Sequence, residues 1–308
     1  MRLPALLLIS LTPLRAQVIV LTYHNDLART GQSLTETALT KNALAAGRFM
    51  KLFTHAVDGY VYAQPLYVPD VPIPGKGPHN VVYIATEHDS VYAFDADSTD
   101  GSNAQPLWQV SFINPAAGIT TVPAQNVNCN QIVPEIGITG TPVIDPNTAT
   151  LYIVAMTLEN GAYMHRLHAL DITTGSERSN SPVAIRATVP GTGEGGQTLT
   201  FNPRNYKQRP GLLLLNGVVY TSWSSHCDIG AYHGWLIGYD ARTLQQVAVY
   251  DNTPNGNEGS FRTSGAAPAV DSTGTSTWSQ ETELSMPTTA VPTSERALSS
   301  SQPRTVCR

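Results

Sequence analysis

The densest group of side chains that could do chemistry lies between residues 224 and 233. It contains, in chain order, Ser225, His226, Cys227, Asp228, Tyr232 and His233. Imidazole and carboxylate groups bind metal ions or exchange protons near neutral pH. The segment is a long insertion between two predicted strands, where function often resides. His226, Asp228 and His233 are therefore candidate metal ligands or acid–base groups. The simpler interpretation is a loop held by a disulfide and side-chain hydrogen bonds.

A second polar cluster occupies residues 24–31 and contains Asp26 and Arg29. The guanidinium of Arg29 could bind a carboxylate of the protein or of a ligand. The simpler interpretation, which we prefer, is that this segment docks the N-terminal strand against the rest of the fold.

Other patterns exclude function classes. The chain has 308 residues, with 18 basic and 23 acidic ones and a net charge of −5. It lacks the basic excess that nucleic-acid binding needs. The glycine-rich residues 191–196 are not followed by Lys-Ser or Lys-Thr, so they do not form a phosphate-binding loop. Gly-x-Ser-x-Gly is absent, so the serine-hydrolase elbow has no support. Residues 87–89, Glu-His-Asp, are read as a polar hairpin between two strands.

The N-terminus indicates export. An apolar run over residues 3–11 is too short to span a bilayer and suits a signal peptide over residues 1–16, although a buried first strand is the alternative. No later stretch is long enough for a transmembrane helix. The protein is therefore expected to be secreted or periplasmic.

Cys129 and Cys227 lie in polar segments and would tend to pair in an exported chain, but the sequence equally allows two unpaired residues.

The elements that must position these groups recur three times along the chain. Each repeat has an inner run that begins at Pro, a Val-Tyr-Ile-Ala-like run, and a run that ends in Asp. The aligned aspartates Asp95, Asp171 and Asp240 are 76 and 69 residues apart and are read as turn caps. Each repeat predicts a four-stranded antiparallel meander that cannot bury both of its faces alone. Stacking such sheets around an axis predicts an all-β fold, a β-propeller.

A fourth repeat starts near residue 264 and breaks after residue 274. Residues 275–308 are rich in Ser, Thr and Pro and predict disorder. With permitted codons, a one-base shift of the reading frame can restore a strand and turn, Asn-Ile-Tyr-Leu-Val-Thr-Gly-Asn-Gly-Thr-Phe-Asp. We therefore interpret residues 17–274 as propeller repeats of a truncated copy, about three and a half blades, followed by an out-of-frame tail. The alternative is a natural disordered tail.

The turn sequences carry a family resemblance. Residues 169–175, Ala-Leu-Asp-Ile-Thr-Thr-Gly, resemble the tryptophan-docking repeat of quinoprotein (PQQ-like) propellers. The first repeat keeps Ala-Phe-Asp at residues 93–95, together with Gly101 and Trp108. Residues 23–271 are also similar to secreted bacterial PQQ-like repeat proteins of the quinoprotein alcohol dehydrogenase-like superfamily.

In the alcohol and glucose dehydrogenases of that family, the resemblance implies pyrroloquinoline quinone (PQQ) beside calcium on the propeller axis. Glu135 stands just before the inner strand of the second repeat and could point toward such a calcium ion, or lie on a surface turn. This sequence departs from the alcohol dehydrogenases because it has no pair of adjacent cysteines, and it has too few repeats to close a ring.

Three functions remain open after these arguments. The first is a non-catalytic binding or scaffold module for a protein or carbohydrate ligand. The second is an oxidoreductase that depends on PQQ and calcium. The third is an extracellular carbohydrate-active hydrolase or lyase on the same scaffold, since one fold hosts many functions.

Overall fold

The computed structural model describes residues 18–47, 49–262, 265–277 and 281–282. Within these residues the regular secondary structure is almost entirely β, as predicted, with 22 strands, one short α-helix, α1 (Lys41–Ala45), and three 3₁₀ turns. In the part of the chain described, there is no helix with the length and apolar character that crossing a bilayer requires. The predicted signal peptide lies outside the described residues.

The first repeat folds into a four-stranded antiparallel sheet whose strands follow one another in chain order. Its strands are β1 (Leu66–Ile73), β2 (Gly77–Ala85), β3 (Ser90–Asp95) and β4 (Trp108–Ser111). Each turn-bounded apolar run of the first repeat becomes one strand, so the predicted first blade is confirmed.

The second repeat forms a larger blade. Its strands are β5 (Ile119–Pro123), β6 (Glu135–Ile136), β7 (Val143–Asp145), β8 (Thr150–Glu159), β9 (Ala162–Asp171) and β10 (Val183–Ala184). The inner edge of β8 pairs with β7 near its start and with β5 near its end. The unusual length of β8 therefore lets it support both the blade and the segment that precedes it.

Two small sheets border the third blade. They pair β11 (Thr188–Pro190) with β12 (Thr198–Thr200), and β13 (Tyr206–Lys207) with β16 (Ser224–Ser225). The third blade consists of β14 (Leu213–Leu215), β15 (Val218–Ser222), β17 (Trp235–Asp240) and β18 (Gln246–Asp251). Its order is again sequential.

A fourth blade begins with two short pairings. They join β20 (Ala269–Val270) to β21 (Ser276–Thr277), and β19 (Gly259–Ser260) to β22 (Glu281–Thr282). Strands β21 and β22 lie just beyond residue 274, where the regular repeat was predicted to end. The rest of the predicted tail lies outside the described residues.

Alternate residues of β8 face two different neighbours. Leu151, Ile153 and Ala155 pack with the first blade, whereas Tyr152 and Val154 pack with the third. All five are buried. Because successive side chains of a strand point to opposite faces, the second blade is buried on both sides. This face-to-face stacking of successive sheets is the packing that a β-propeller requires.

Hydrogen bonds at the turns also connect consecutive blades. The indole Nε1 of Trp108 donates to Ile172 O in the second blade at 2.9 Å, and the Tyr152 hydroxyl donates to Ala241 O in the third blade at 2.7 Å. A Cβ on Gly175 would lie 2.6 Å from the ring of Trp108. The Thr-Gly turn thus receives the tryptophan of the preceding blade.

The N-terminal residues 18–31, which we call the axial segment, touch the inner strand region of each blade in turn. Val20 pairs with Tyr67, Leu21 O accepts from Ile144 N at 2.8 Å, Tyr23 lies against Gly211, and Leu27 O accepts from Val270 N at 2.7 Å. The segment therefore ties the inner edges of all four blades together.

Candidate functional site

The blades have two chemically different ends. We call the end that carries Asp95, Asp171 and Asp240 the turn end. The hairpin end carries the loops 86–89, 160–161 and 223–234, together with the residues that lead into each inner strand. The candidate site is at the hairpin end.

Carboxylates at the turn end are satisfied by local hydrogen bonds. Asp95 Oδ1 accepts from the backbone N–H groups of Asp97 and Ser98, each at 2.8 Å. Burial acts to raise the pKa of Asp95, but hydrogen bonds from His79 and from these N–H groups lower it below its ordinary value. The pKa of Asp240 is lowered by its backbone hydrogen bond from Thr243. These aspartates are turn caps, as predicted.

Two buried carboxyl groups at the hairpin end, those of Glu87 and Asp89, have oxygens without a hydrogen-bond partner among the described residues. Glu87 Oε2 accepts from Gly137 N at 2.8 Å and Thr139 Oγ1 at 3.1 Å, but Glu87 Oε1 has no partner among the described residues. Burial raises the pKa of Glu87 to about 7. Both side-chain oxygens of Asp89 are also unpartnered there, and burial, with Glu87 next, raises its pKa well above its ordinary value.

Gly137 lets the next segment pack closely against the hairpin that carries these two carboxyl groups. A Cβ at this position would lie 2.4 Å from Glu87 O and 2.8 Å from Asp89 Oδ1. Only glycine lets the lead-in to the second blade pass this close to the hairpin of the first blade. Glu87 and Asp89 were read from the sequence as an ordinary polar hairpin, and the structure instead buries both.

Lys207 lies at the same end, in β13. It is only 7% exposed, and its Nζ donates to Gln131 Oε1 at 2.9 Å. No carboxylate of the described residues lies within 4.0 Å of this Nζ. Burial lowers the pKa of Lys207 to about 8, and the charges of Arg209 and Arg262 act in the same direction.

The nearby cations differ in their partners. Arg262 forms an ion pair with Asp228. Arg209 lies over the ring of Tyr62, with Cζ 5.6 Å from the ring centroid, and has no carboxylate partner in the described part of the chain. Lys207 joins two blades, because its backbone pairs with Ser224 of the third-blade insertion and its Nζ bonds Gln131 in the loop between β5 and β6.

Glu135 is placed at the hairpin end but is fully engaged. Its Oε1 is 2.8 Å from His88 Nδ1, and its Oε2 accepts from Thr121 Oγ1 at 2.7 Å. Calcium needs six to eight oxygen ligands. In the described ranges no three His, Cys, Asp or Glu side chains are placed to hold a metal ion. The described residues therefore do not fit a calcium ion beside a quinone.

Asp26 and Arg29 belong to the axial segment. Arg29 donates to Pro268 O at 2.8 Å, to Thr22 Oγ1 at 2.7 Å and to Tyr23 O at 2.9 Å. Asp26 Oδ1 accepts from Thr30 N at 3.0 Å. These contacts fit the preferred interpretation, in which the cluster docks the N-terminal segment on the blades.

The histidines of the 224–233 insertion point to different places. His226 is buried, and burial followed by the charge of Lys207 lowers its pKa to about 3. Its neighbour Asp228 pairs with Arg262. His233 Nδ1 is 3.1 Å from Thr253 O, and its Nε2 is 3.6 Å from Glu194 Oε1. His226, Asp228 and His233 therefore do not form one site with each other.

A disulfide joins Cys129 to Cys227, with a Cα–Cα distance of 5.6 Å. It connects the loop between β5 and β6 of the second blade to the insertion of the third blade. The pairing that the sequence left open is thus present at the hairpin end, close to the cluster of buried charges.

Comparisons with known proteins return structures only. No protein-family model matches the chain, and no curated protein matches it. A quinohemoprotein alcohol dehydrogenase from Pseudomonas putida is 17% identical over 71% of this chain and 28% of its own, with a TM-score of 0.42. A europium-containing methanol dehydrogenase is 14% identical over 76% of this chain and 32% of its own, with a TM-score of 0.44.

A quinohemoprotein alcohol dehydrogenase from Comamonas testosteroni is 14% identical over 67% of this chain and 32% of its own, with a TM-score of 0.37. The chain spans less than a third of the length of each of these three proteins.

Proposed function

We propose that this chain is an exported, non-catalytic β-propeller module that binds a small anionic ligand at its hairpin end. One observation carries the proposal: Lys207 is buried with no carboxylate of the described residues within 4.0 Å. Lysine is almost never buried unless it is paired. A ligand carboxylate would supply the missing counter-charge to Lys207 and to Arg209.

The disulfide supports export, because such bonds persist in oxidising compartments outside the cytosol. A secreted or periplasmic location is therefore part of the proposal. No observation of the described residues favours the PQQ-dependent oxidoreductase or the carbohydrate-active enzyme over simple binding. Whether the chain is a shortened copy of a longer propeller stays a prediction.

The test is isothermal titration calorimetry with oxalate, citrate and inorganic phosphate on the full chain. Lys207→Met removes the buried cation and keeps a side chain of similar length. Lys76→Met is the matched control, because Lys76 lies at the turn end, where its Nζ donates to Leu107 O at 3.0 Å.

We expect at least one anion to bind, with affinity reduced about tenfold or more in Lys207→Met, since a charge-assisted hydrogen bond contributes roughly 1.5–3 kcal/mol. Lys76→Met should bind as the unmodified chain does. Absence of anion binding, or equal binding by Lys207→Met, would refute the proposal.

A further inference from the structure

We infer that His233 and Glu194 bind a divalent transition-metal ion such as Zn²⁺ between the third blade and the glycine-rich loop 191–196. This inference goes beyond the proposed function, because it concerns other residues and its ligand is a cation. His233 lies just before β17, and Glu194 lies in the loop between β11 and β12.

The hydrogen bond of His233 decides which of its ring nitrogens is free. Its Nδ1 is 3.1 Å from Thr253 O. A carbonyl oxygen only accepts hydrogen bonds, so Nδ1 carries the proton of the neutral ring. Nε2 then has a free lone pair, and this buried atom has no hydrogen-bond partner among the described residues. A hydrogen bond from one ring nitrogen to a backbone carbonyl is the arrangement that orients metal-binding histidines.

The separation between His233 and Glu194 fits two ligands of one ion. His233 Nε2 lies 3.6 Å from Glu194 Oε1, which is too long for a hydrogen bond. Zinc binds nitrogen and carboxylate oxygen at about 2.0–2.2 Å. With both bonds at about 2.1 Å, the angle at the ion would be about 118°. This angle is close to the tetrahedral value of about 109° that zinc prefers.

Three other histidine–carboxylate pairs of the described residues lack this gap. Their N–O distances are 2.5, 2.8 and 2.6 Å in His79–Asp95, His88–Glu135 and His168–Glu177. These are hydrogen-bond distances, so a proton lies between the partners and leaves no room for an ion. At His233 the proton is instead directed at Thr253, and a buried lone pair faces a carboxylate oxygen. Such a pair of acceptors requires a cation between them.

The glycine-rich loop brings Glu194 close to the ring and leaves it open to solvent. A Cβ on Gly193 would lie 2.8 Å from His233 Cε1, so glycine lets the loop pass beside the imidazole. Gly193 N donates to Pro254 O at 3.0 Å and holds the loop there. The Glu194 side chain is 44% exposed, whereas that of His233 is fully buried. An ion can therefore approach from the side of Glu194.

Water would complete the coordination of the ion. In the part of the chain described, no third His, Cys, Asp or Glu side chain joins this pair. Zinc accepts water in a position that the protein leaves open, and the exposed side of Glu194 supplies that access.

Titration of the full chain with Zn²⁺, prepared without a polyhistidine tag, tests the site. Isothermal titration calorimetry at neutral pH should show saturable binding. Glu194→Gln should weaken binding at least about tenfold, since even a change outside the ligand shell costs about 10–100-fold in metal affinity. Glu177→Gln is the matched control, because it removes the carboxylate of a short histidine pair. It should bind Zn²⁺ as the unmodified chain does.

Nitrogen NMR gives an independent readout on the same samples. Long-range ¹H–¹⁵N spectra should show His233 with a protonated Nδ1 and an unprotonated Nε2. Addition of Zn²⁺ should shift the Nε2 resonance of His233 and leave that of His168 in place. The inference is overturned if Zn²⁺ does not bind, if Glu194→Gln and Glu177→Gln bind it equally, or if the Nε2 resonance of His233 does not move. A proton on Nε2 of His233 in the metal-free chain would show an ion pair with Glu194 and would also overturn it.

Discussion

The two ends of the blades place carboxyl groups under opposite electrostatic conditions. At the turn end, Asp95 accepts hydrogen bonds from His79 and from the turn that follows it, and Asp240 accepts hydrogen bonds from its own following turn; these bonds lower their pKa values. At the hairpin end, burial dominates and raises the pKa values of Glu87 and Asp89. Carboxyl groups are therefore stabilised in the charged form at the turn end and in the protonated form at the hairpin end.

The difference follows from where the hydrogen-bond donors come from. A turn supplies its own backbone N–H groups within two or three residues of an aspartate. Glu87 instead depends on Gly137 and Thr139 of the next blade, and these fill only one of its two oxygens. Donors from the following turn cap an aspartate completely. Donors from another blade leave an oxygen of Glu87 unpaired among the described residues, and a ligand can use that oxygen.

The largest expected effect concerns how the hairpin end is held. Replacing Cys129 and Cys227 by alanine should lower the free energy of unfolding by about 4 kcal/mol, because the bridge closes a loop with a sequence separation of 98. Urea denaturation of the oxidised protein measures this loss. Cys307→Ser, which leaves the bridge intact, is the control. A loss below about 1 kcal/mol would contradict the prediction that the bridge stabilises the folded chain.

A smaller effect is expected at the turn end. Gly175→Ala should destabilise the fold by about 3 kcal/mol, because the new Cβ meets the Trp108 ring at 2.6 Å and the residue has φ of 74°. Gly217→Ala is a matched control: its φ is 76°, but nothing lies within 4 Å of the new Cβ. It should cost about 1 kcal/mol. Equal thermal-denaturation losses for the two variants would contradict tight docking of Trp108.

The smallest expected effect is a difference between the two ends in how their carboxyl groups make stability depend on pH. Between its ordinary pKa of 4.5 and its folded pKa of about 7, Glu87 binds more protons in the folded chain, so stability falls as pH rises through this window. Glu87→Gln should therefore be more stable than the unmodified chain above pH 7 and equal to it below pH 4.5.

Asp95→Asn provides the opposite case at the turn end. The folded pKa of Asp95 is lowered, so its stabilisation is present above its ordinary value of 3.8 and is lost as pH falls. Asp95→Asn should be less stable than the unmodified chain at neutral pH, and this gap should narrow in acid. If the stability differences caused by Glu87→Gln and by Asp95→Asn changed with pH in the same way, the electrostatic difference between the two ends would be refuted.

Periodicity and turn chemistry predicted the fold because both are local. The apolar run at residues 151–155 and the aspartate turns at 171 and 240 depend on neighbours in sequence, so the strands, the blades and the capping role follow from them. The four-stranded blades of the first and third repeats match the predicted runs.

The candidate site could not be predicted in the same way, because its properties come from several blades at once. The burial of Glu87 depends on Gly137, and the lack of a carboxylate beside Lys207 among the described residues is visible only when the surrounding blades are in place. At residues 226–233 closeness in sequence does not bring the side chains into one site, and the disulfide of the simpler interpretation is present. Positive φ angles at Cys227 and Asp228 turn the backbone sharply, so neighbouring side chains diverge.

The axial segment has a consequence for biosynthesis. A ribosome makes residues 18–31 before the blades, yet the acceptor of the Arg29 guanidinium, Pro268 O, is made 239 positions later. The first three blades can assemble as they emerge, since each packs mainly on its neighbour. The segment must wait until the fourth blade exists before its last contacts close. We therefore expect docking of this segment to be the last, long-range step of folding. An N-terminal fusion partner should disturb this step more than any other.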